Sequence, residues 1–336
     1  MMIAYLQTFF KIGVMSMSEL TLQKGFELFL ASGRMYWAPR TQAYYERNIG
    51  YFMQYAEKKY HSEADRILIR DLPEDILVQY VTWLRSKQRY DSHPMYKQMN
   101  VNGTIKSNTV NAYMRAAKAF FNFLYSRKYT SIRFTEGVKL PRGDSDQIIP
   151  LQASEVAAID QVFDRSNPID LRNLCIIHLM LDAGLRSCEV ISLTPRDLIF
   201  SAGAIVINRS KGNKSRAVIM CPSLADMLRE YVNMCHPTGA LFCKANESKG
   251  INESVMRALF LRLVRLTGIS RLHPHLLRHT FATSYIMGGG NLESLRILLG
   301  HYDYSVTRRY LHLASQYQIL GTDIYKLDPV FFKKAY

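Results

Sequence analysis

The chain has 336 residues, of which 48% are hydrophobic and 21% are charged, a composition typical of a globular protein that buries its own core. Lysine and arginine outnumber aspartate and glutamate by 43 to 28, which gives a formal net charge of +15. Such a surplus favours a polyanionic partner, because attraction and counterion release both strengthen binding. The five cysteines form no CxxC pair, so neither a disulfide framework nor a zinc site is indicated.

Residues 1–17 are mildly apolar, but Gln7 and Lys11 interrupt the run. The segment lacks a basic leader and a small-residue cleavage site, so we expect neither a signal peptide nor a membrane span. We interpret it as an N-terminal extension that could be disordered. Unpaired thiols suit a reducing compartment, and we therefore expect a cytoplasmic protein.

Residues 18–140 predict a helical domain, because apolar residues recur there at helical spacing. The predicted helices cover 20–31 and 41–60, a third opens at Pro73, and a fourth is capped by Asn108. The polar stretch 90–103 predicts a loop. The segment 141–149, which contains Pro-Arg-Gly-Asp, predicts a linker to the second half.

Residues 150–315 predict a second, mainly helical domain that contains a small antiparallel sheet. The strands are Ala204–Asn208 and Arg216–Met220, which are rich in β-branched residues and flank the turn signal Lys211-Gly-Asn-Lys. Helices are predicted on both sides of this hairpin, over 154–164, 170–183, 223–233, 254–267, 275–287, 292–298 and 305–311. Residues 316–336 form a tail with two adjacent phenylalanines, Phe331 and Phe332.

Four separated blocks carry residues suited to attack on a phosphodiester: Gly-Leu-Arg186-Ser-Cys-Glu189, Lys211, His275-Leu-Leu-Arg278, and Gly-His301 followed by Tyr310. Two guanidiniums can hold the non-bridging oxygens of a phosphate and stabilise the charge of the transition state. A lysine can protonate a leaving oxygen, and a tyrosine hydroxyl is a competent nucleophile beside a base. Taken singly, each residue also has an ordinary structural explanation, such as a surface charge or an ion pair.

In this order, the blocks resemble the tyrosine recombinase, or phage integrase, family. The resemblance implies a helical SAM-like core-binding domain followed by a tyrosine-recombinase catalytic domain. It implies Arg186, Lys211, His275, Arg278 and His301 as catalytic residues. It also implies Tyr310 as the nucleophile and Glu189 as a support for Arg186.

The resemblance further implies a site-specific recombinase that needs neither metal nor cofactor. Its tyrosine would form a 3′-phosphotyrosyl link, and four protomers on two double-stranded DNA sites would pass through a Holliday junction. The resemblance also implies accessory DNA-bending proteins as partners and a protein that is nucleoid-associated when bound to DNA. The alternatives are relaxation of DNA by a type IB topoisomerase-like enzyme and a non-catalytic DNA-binding regulator on the same fold. An intact set of six residues argues against the regulator.

Two further predictions concern surfaces. Basic and amide side chains on two helices of the first domain are candidate DNA contacts, with a solvated basic face as the alternative: Arg40, Tyr44, Arg47, Asn108, Asn111, Arg115 and Lys118. For the tail 316–336, the family resemblance favours a helix that docks onto a neighbouring protomer. The alternative is that its phenylalanines fold back on their own domain.

Overall fold

The computed structural model describes residues 19–87, 103–141, 148–208, 215–243 and 249–332. The chain divides into two compact units between residues 146 and 147, a position inside the predicted linker 141–149. Both units are mainly helical, and the second contains the small antiparallel sheet, so the predicted fold class is confirmed. Within the described ranges, no helix is long and apolar enough to span a membrane.

Among its described residues, the first unit contains four α-helices: α1 (Leu22–Gly33), α2 (Pro39–Tyr60), α3 (Ile76–Ser86) and α4 (Ser107–Ser126). Their buried faces meet in an aromatic core, in which Phe52 lies edge-on to Tyr80 at 5.1 Å and to Phe121 at 5.2 Å between ring centroids. The predicted cap of the fourth helix is wrong by two residues. Lys106 occupies the cap position, and Asn108 already lies in the first turn of α4.

The second unit contains eight helices among its described residues. They are α5 (Ala153–Asp160), α6 (Pro168–Leu181), α7 (Ser187–Ser192), α8 (Pro222–Cys235), α9 (Glu253–Thr267), α10 (Pro274–Met287), α11 (Leu292–Leu299) and α12 (Tyr304–Ile319). Helix α6 is buried from Leu171 to Leu181 and forms the centre of the core. Helix α12 is longer than the predicted helix and crosses the predicted boundary at residue 315.

The sheet has three antiparallel strands in the order β1 (Leu198–Ile199), β2 (Ala204–Ile207) and β3 (Arg216–Ile219). Strands β2 and β3 form the predicted hairpin, in which Ala204 pairs with Ile219 and Ile207 pairs with Arg216. Strand β1 was not predicted, because two residues are too few to show a periodicity. The hairpin tip, 209–214, lies outside the described residues.

A second feature of this unit is an ionic cluster around the largely buried side chain of His178. His178 of α6 contacts Asp182 through Nδ1 at 2.7 Å and Asp160 through Nε2 at 2.9 Å. Tyr325 donates its hydroxyl to the other oxygen of Asp182 at 2.8 Å. Burial alone would lower the pKa of His178, but the two carboxylates override it and raise that pKa to about 10. We call these four residues the histidine centre.

The segment after α12 returns to its own unit. The backbone N–H of Tyr325 donates to the carbonyl of Leu151 at 3.0 Å, and Ser284 Oγ donates to the carbonyl of Tyr325 at 2.5 Å. Gln152 and Ile324 form an isolated antiparallel bridge. Tyr325 thus reaches the histidine centre from a strand-like segment that backbone hydrogen bonds hold in place.

The two phenylalanines of the tail also pack in cis. The ring of Phe331 lies 5.7 Å from that of Phe281, and the ring of Phe332 lies 5.8 Å from that of Tyr285. In the described residues the two phenylalanines therefore lie on their own unit, as the alternative holds, while docking of a terminal helix onto a neighbouring protomer stays a prediction for the tail. Its Pro329–Phe332 segment is a single 3-10 turn, and an apolar surface of its own unit already covers Phe331.

Candidate active site

The first predicted arginine lies where a sharp turn leads into a short helix. Arg186 precedes α7, and its backbone N–H donates to Glu189 Oε2 at 2.8 Å. Its guanidinium donates to Glu189 Oε1 at 2.9 Å and to the carbonyl of Gly300 at 3.1 Å. The predicted support of Arg186 by Glu189 therefore has a geometric basis in a capping interaction and an ion pair.

Glu189 also binds a second arginine that the sequence did not single out. Arg216, the first residue of β3, donates from Nη1 to Glu189 Oε1 at 2.8 Å and from Nη2 to Oε2 at 2.9 Å. Its Nε donates to the carbonyl of Leu298 at 2.8 Å. Burial alone would raise the pKa of Glu189, but Arg216 and Arg186 lower it to about 2. The carboxylate is therefore fully ionised at neutral pH.

Arg278 is the most deeply buried of the predicted site residues with a positive charge. Its side chain is held by the carbonyls of Gly184 and Leu299, the latter at 2.5 Å. Burial first, and then the charge of Arg186, lower the pKa of Arg278 to about 9. It stays protonated at neutral pH. Two guanidiniums thus bind one carboxylate and a third lies within range of their charges. We call this group the arginine centre: Arg186, Glu189, Arg216 and Arg278.

Two glycines shape the backbone around the arginine centre. Gly184 and Gly300 have φ values of +65° and +60°, and each presents its carbonyl to an arginine. A Cβ at Gly184 would lie 2.5 Å from Phe281, and one at Gly300 would lie 2.9 Å from Arg216. Only glycine combines this left-handed conformation with so close an approach.

The second predicted histidine joins the arginine centre directly. His301 Nε2 lies 3.2 Å from Arg278 Nη2, and Nδ1 lies 2.9 Å from Thr307 Oγ1. Because an arginine only donates, Nε2 is the acceptor and Nδ1 carries the proton. Burial, followed by the charge of Arg278, lowers the pKa of His301 to about 3. His301 is therefore a neutral imidazole at physiological pH.

The predicted nucleophile is buried in the resting protein. Tyr310 is 1% exposed, and its hydroxyl lies 2.7 Å from His279 Nδ1. Arg309 donates to the same hydroxyl at 3.4 Å and stands 5.2 Å from the ring centroid. Neither His279 nor Arg309 was predicted. The sequence signal for both was only their adjacency to Arg278 and Tyr310.

Of the two remaining predicted catalytic residues, His275 lies within the described residues and Lys211 does not. His275 lies in the first turn of α10, at an exposed position one turn before His279. Pro274 opens that helix, as predicted. Lys211 lies outside the described residues, so its predicted role stays a prediction. The described strands β2 and β3 lead into and out of the segment that contains it.

The candidate DNA contacts of the first unit divide into two groups. Exposed positions are occupied by Arg40, Arg47, Asn108 and Arg115. Three others serve the structure of the unit: Tyr44 donates to the carbonyl of Ala112, Asn111 to that of Pro141 and Lys118 to that of Val138.

Asn111 is only 5% exposed, so its prediction as a DNA contact is wrong. Its amide is needed where α4 meets the backbone of Pro141. Tyr44 and Lys118 are half-buried, and their polar atoms already have backbone partners.

The geometry favours one kind of chemistry. The arginine centre has three cations for one anion, so it needs a further negative charge for neutrality. A phosphate group supplies that charge and fits the forked donors of a guanidinium. Tyr310 lies beside the centre, since the residue that contacts it, His279, follows Arg278 in α10. The arrangement can hold a phosphate next to a tyrosine hydroxyl.

Comparison with known proteins bears on this site. Residues 150–317 match the model of the phage integrase family. The chain is 28% identical to the tyrosine recombinase XerC of Lactobacillus delbrueckii subsp. bulgaricus over 316 aligned residues. The alignment covers 89% of this chain and 96% of that protein. It is 32% identical over 203 residues to a tyrosine recombinase of Pseudothermotoga lettingae, covering 59% of this chain and 68% of that protein.

Among solved structures, the fold is similar to that of the Tn1549 transposon integrase in complex with transposon right end DNA. The TM-score is 0.66 at 17% sequence identity, and the match covers 90% of this chain and 99% of the integrase chain. At this level of identity, the likeness shows a shared fold.

Proposed function

The chain belongs to the phage integrase family of tyrosine recombinases, which cut and rejoin DNA at specific sites, and we propose that Tyr310 forms its covalent bond to DNA. One observation carries this assignment: consecutive residues of α10 link the predicted nucleophile to the arginine centre. Arg278 belongs to that centre, and His279 contacts the Tyr310 hydroxyl at 2.7 Å. A phosphate bound by the arginines would therefore lie close to the tyrosine.

In the proposed reaction, Arg186 and Arg278 hold the two non-bridging oxygens of the scissile phosphate. Arg278 is already fixed by two carbonyls and Arg186 by Glu189, so little reorganisation is needed when charge develops on the phosphate. His301, a neutral imidazole oriented by Thr307, supports the same phosphate. His275 stands at the exposed start of α10, where it can complete the phosphate site.

Attack by Tyr310 would leave a 3′-phosphotyrosyl link and free a 5′-hydroxyl, and we assign the proton for that hydroxyl to Lys211. The residue belongs to the segment between β2 and β3, and Arg216 ties the start of β3 to the arginine centre. The strand that follows Lys211 in the chain is therefore anchored at the arginine centre, which supports this assignment. A 5′-hydroxyl from a second strand would then reverse the reaction and restore the backbone.

We propose that the first unit binds the same DNA through Arg40, Arg47, Asn108 and Arg115, whose side chains are exposed. Residues 18–140 would form the core-binding domain and 150–315 the catalytic domain, acting on DNA in the cytoplasm. Exchange between two double-stranded sites would require four protomers and a Holliday junction. The net charge of +15 supports a complex in which long stretches of phosphate backbone are covered.

A nicked suicide substrate tests the proposal. Cleavage releases a short oligonucleotide that cannot be rejoined, so the protein stays attached to DNA and the DNA-linked peptide can be mapped. We expect the link at Tyr310 and no adduct in Tyr310→Phe. Tyr302→Phe is the matched control, because Tyr302 is 99% exposed and eight residues away. An adduct that persists in Tyr310→Phe would refute the assignment.

A further inference from the structure

The hydroxyl of Tyr310 has two hydrogen-bond partners among the described residues. His279 Nδ1 lies 2.7 Å from it and Arg309 Nη2 lies 3.4 Å from it. An arginine only donates, so the phenol oxygen accepts from Arg309, and in the His279 tautomer that carries its proton on Nε2 the phenol donates its own proton to Nδ1. The imidazole of His279 is thus placed as the acceptor of the proton that the nucleophile must lose.

His275, the histidine that the family resemblance singles out, is placed differently. His275 and His279 lie one turn apart on α10, with ring centroids 6.4 Å apart. The rings of His279 and Tyr310 are 5.6 Å apart, whereas no hydrogen bond joins His275 to Tyr310 in the described structure. His279 therefore stands between the exposed histidine and the buried tyrosine.

We propose that His279 is a further catalytic residue, whose Nδ1 takes the proton of Tyr310 as the phenol oxygen attacks the phosphorus. This inference rests on the proposed function, in which Tyr310 is the nucleophile. The O–H bond of Tyr310 breaks as an N–H bond forms on His279. The oxygen–phosphorus bond forms as the bond to the 5′ oxygen breaks, and the general acid protonates that oxygen. In rejoining, His279 returns its proton to Tyr310.

The charges around His279 agree with this role. Burial first, and then the neighbouring basic side chains of Arg309, His275, His273 and Arg278, lower the pKa of His279 to about 4. The imidazole is therefore neutral and able to accept a proton before DNA binds. A bound phosphate brings negative charge among these cations, which raises the proton affinity of His279 when the reaction needs it.

The test compares His279→Asn with His275→Asn in single-turnover cleavage of the nicked substrate across a range of pH. Asparagine places an amide near the position of Nδ1, so it can keep a hydrogen bond but cannot take up a proton. We expect His279→Asn to bind DNA normally and to cleave about 10²–10⁴-fold more slowly. Its cleavage rate should keep rising with pH, whereas the wild-type rate levels off once His279 is neutral.

His312→Asn is the matched control, because His312 is exposed on the same helix as Tyr310. It should cleave like the wild type. Thermal unfolding of each variant establishes that it is folded, and His279→Gln replaces His279→Asn if the latter is not. A levelling pH profile that survives in the folded His279 variant, or one that is lost instead in His275→Asn, overturns the inference.

The outcomes also separate this inference from the proposed function. A covalent adduct that maps to a residue other than Tyr310 would refute the nucleophile assignment, and the role of His279 with it. An adduct at Tyr310, together with an unchanged rate and pH profile in His279→Asn, would refute the role of His279 alone. In that case His279 would only pack against the tyrosine.

Discussion

The second unit contains two buried clusters of charge, and they differ in their balance. The arginine centre has three guanidiniums and one carboxylate, whereas the histidine centre has one imidazolium, two carboxylates and a tyrosine hydroxyl. Three positive charges against one negative charge leave the first with a net charge of +2, whereas one against two leaves the second with −1, and its extra carboxylate, Asp160, is 41% exposed to solvent. Burial of ionisable groups alone therefore does not mark a candidate anion site, whereas an excess of cations that solvent does not reach freely does.

The largest effect is expected when the imbalance of the arginine centre is made worse. Glu189→Ala removes its only carboxylate and leaves Arg216, which is 9% exposed, without a counter-charge. We expect the free energy of unfolding to fall by about 3–5 kcal/mol, measured by urea denaturation. In the control Glu230→Ala, a surface pair with Arg165 is lost, at a cost of about 0–1 kcal/mol.

Equal losses in these two variants would contradict a buried ionic role for Glu189. The pH dependence gives a second check. The folded pKa of Glu189 is about 2, below its ordinary value of 4.5. Its stabilising contribution is therefore present above pH 4.5 and is lost as the pH falls toward 2. Glu189→Gln should unfold with a smaller dependence on pH over that window.

Replacement of one buried cation by another tests geometry rather than charge. Arg278→Lys keeps the positive charge but loses the fork that holds two carbonyls and is proposed to bind phosphate. We expect cleavage to fall by roughly 10²–10³, or about 2.7–4 kcal/mol, in single-turnover assays. Arg262→Lys, which keeps a partly exposed pair with Asp170, is the control. Near-normal cleavage by Arg278→Lys would exclude a bidentate role.

In the histidine centre, a smaller effect is expected. His178→Gln removes the imidazolium from between Asp160 and Asp182, but Asp160 is 41% exposed and keeps part of its hydration. We expect a loss of about 1–3 kcal/mol in the free energy of unfolding and unchanged cleavage by the folded fraction. A cleavage defect in a fully folded His178→Gln would mean that this cluster is not merely structural.

The contribution of His178 to the free energy of unfolding depends on pH in the opposite direction from that of Glu189. The folded pKa of His178, about 10, exceeds its ordinary value of 6.5. Its charge therefore stabilises the fold fully below pH 6.5, and the contribution is lost as the pH rises through about 10. The stability difference between the wild type and His178→Gln should shrink over that range. A difference that stays constant would show that the charge of His178 contributes nothing.

The smallest effect is expected from Tyr325→Phe, which removes one hydrogen bond to Asp182 and leaves the pair with His178 in place. We expect a loss of about 0.5–1.5 kcal/mol in urea denaturation. Tyr304→Phe is the control, because Tyr304 is 50% exposed and should change stability little. A loss beyond about 3 kcal/mol would indicate that Tyr325 anchors the whole terminal segment.

Helical periodicity predicted the type and order of the main elements, because each amphipathic face is visible within its own segment. It did not predict the ends of α12 or the two-residue strand β1. Asn111 was predicted as a DNA contact because its amide can bind DNA, without regard to the face of α4 on which it lies. It lies three residues before the fully buried Met114 and therefore faces the core.

At the site, sequence order predicted residues that a family pattern carries, but it could not predict their neighbours. Arg216 is 27 residues from Glu189, and His279 is 31 residues from Tyr310. Each is one of many basic residues until the fold brings it to its partner. The packing of the tail within its own unit could not be predicted for a similar reason, since Phe331 contacts Phe281, 50 residues earlier in the chain.

The pairing of Arg216 with Glu189 also fixes the alignment of the hairpin. A shift of β3 by one residue would turn the Arg216 side chain to the opposite face of the sheet. Glu189 would then lose its bidentate partner. In most hairpins the alternation of apolar residues sets the register of strand pairing, and here the ion pair between Arg216 and Glu189 reinforces that register. Insertions or deletions between Ile207 and Arg216 should change the reach of the connecting segment and leave the strand pairing unaltered. The chain can thus vary the length of the segment that contains Lys211 without disturbing the arginine centre.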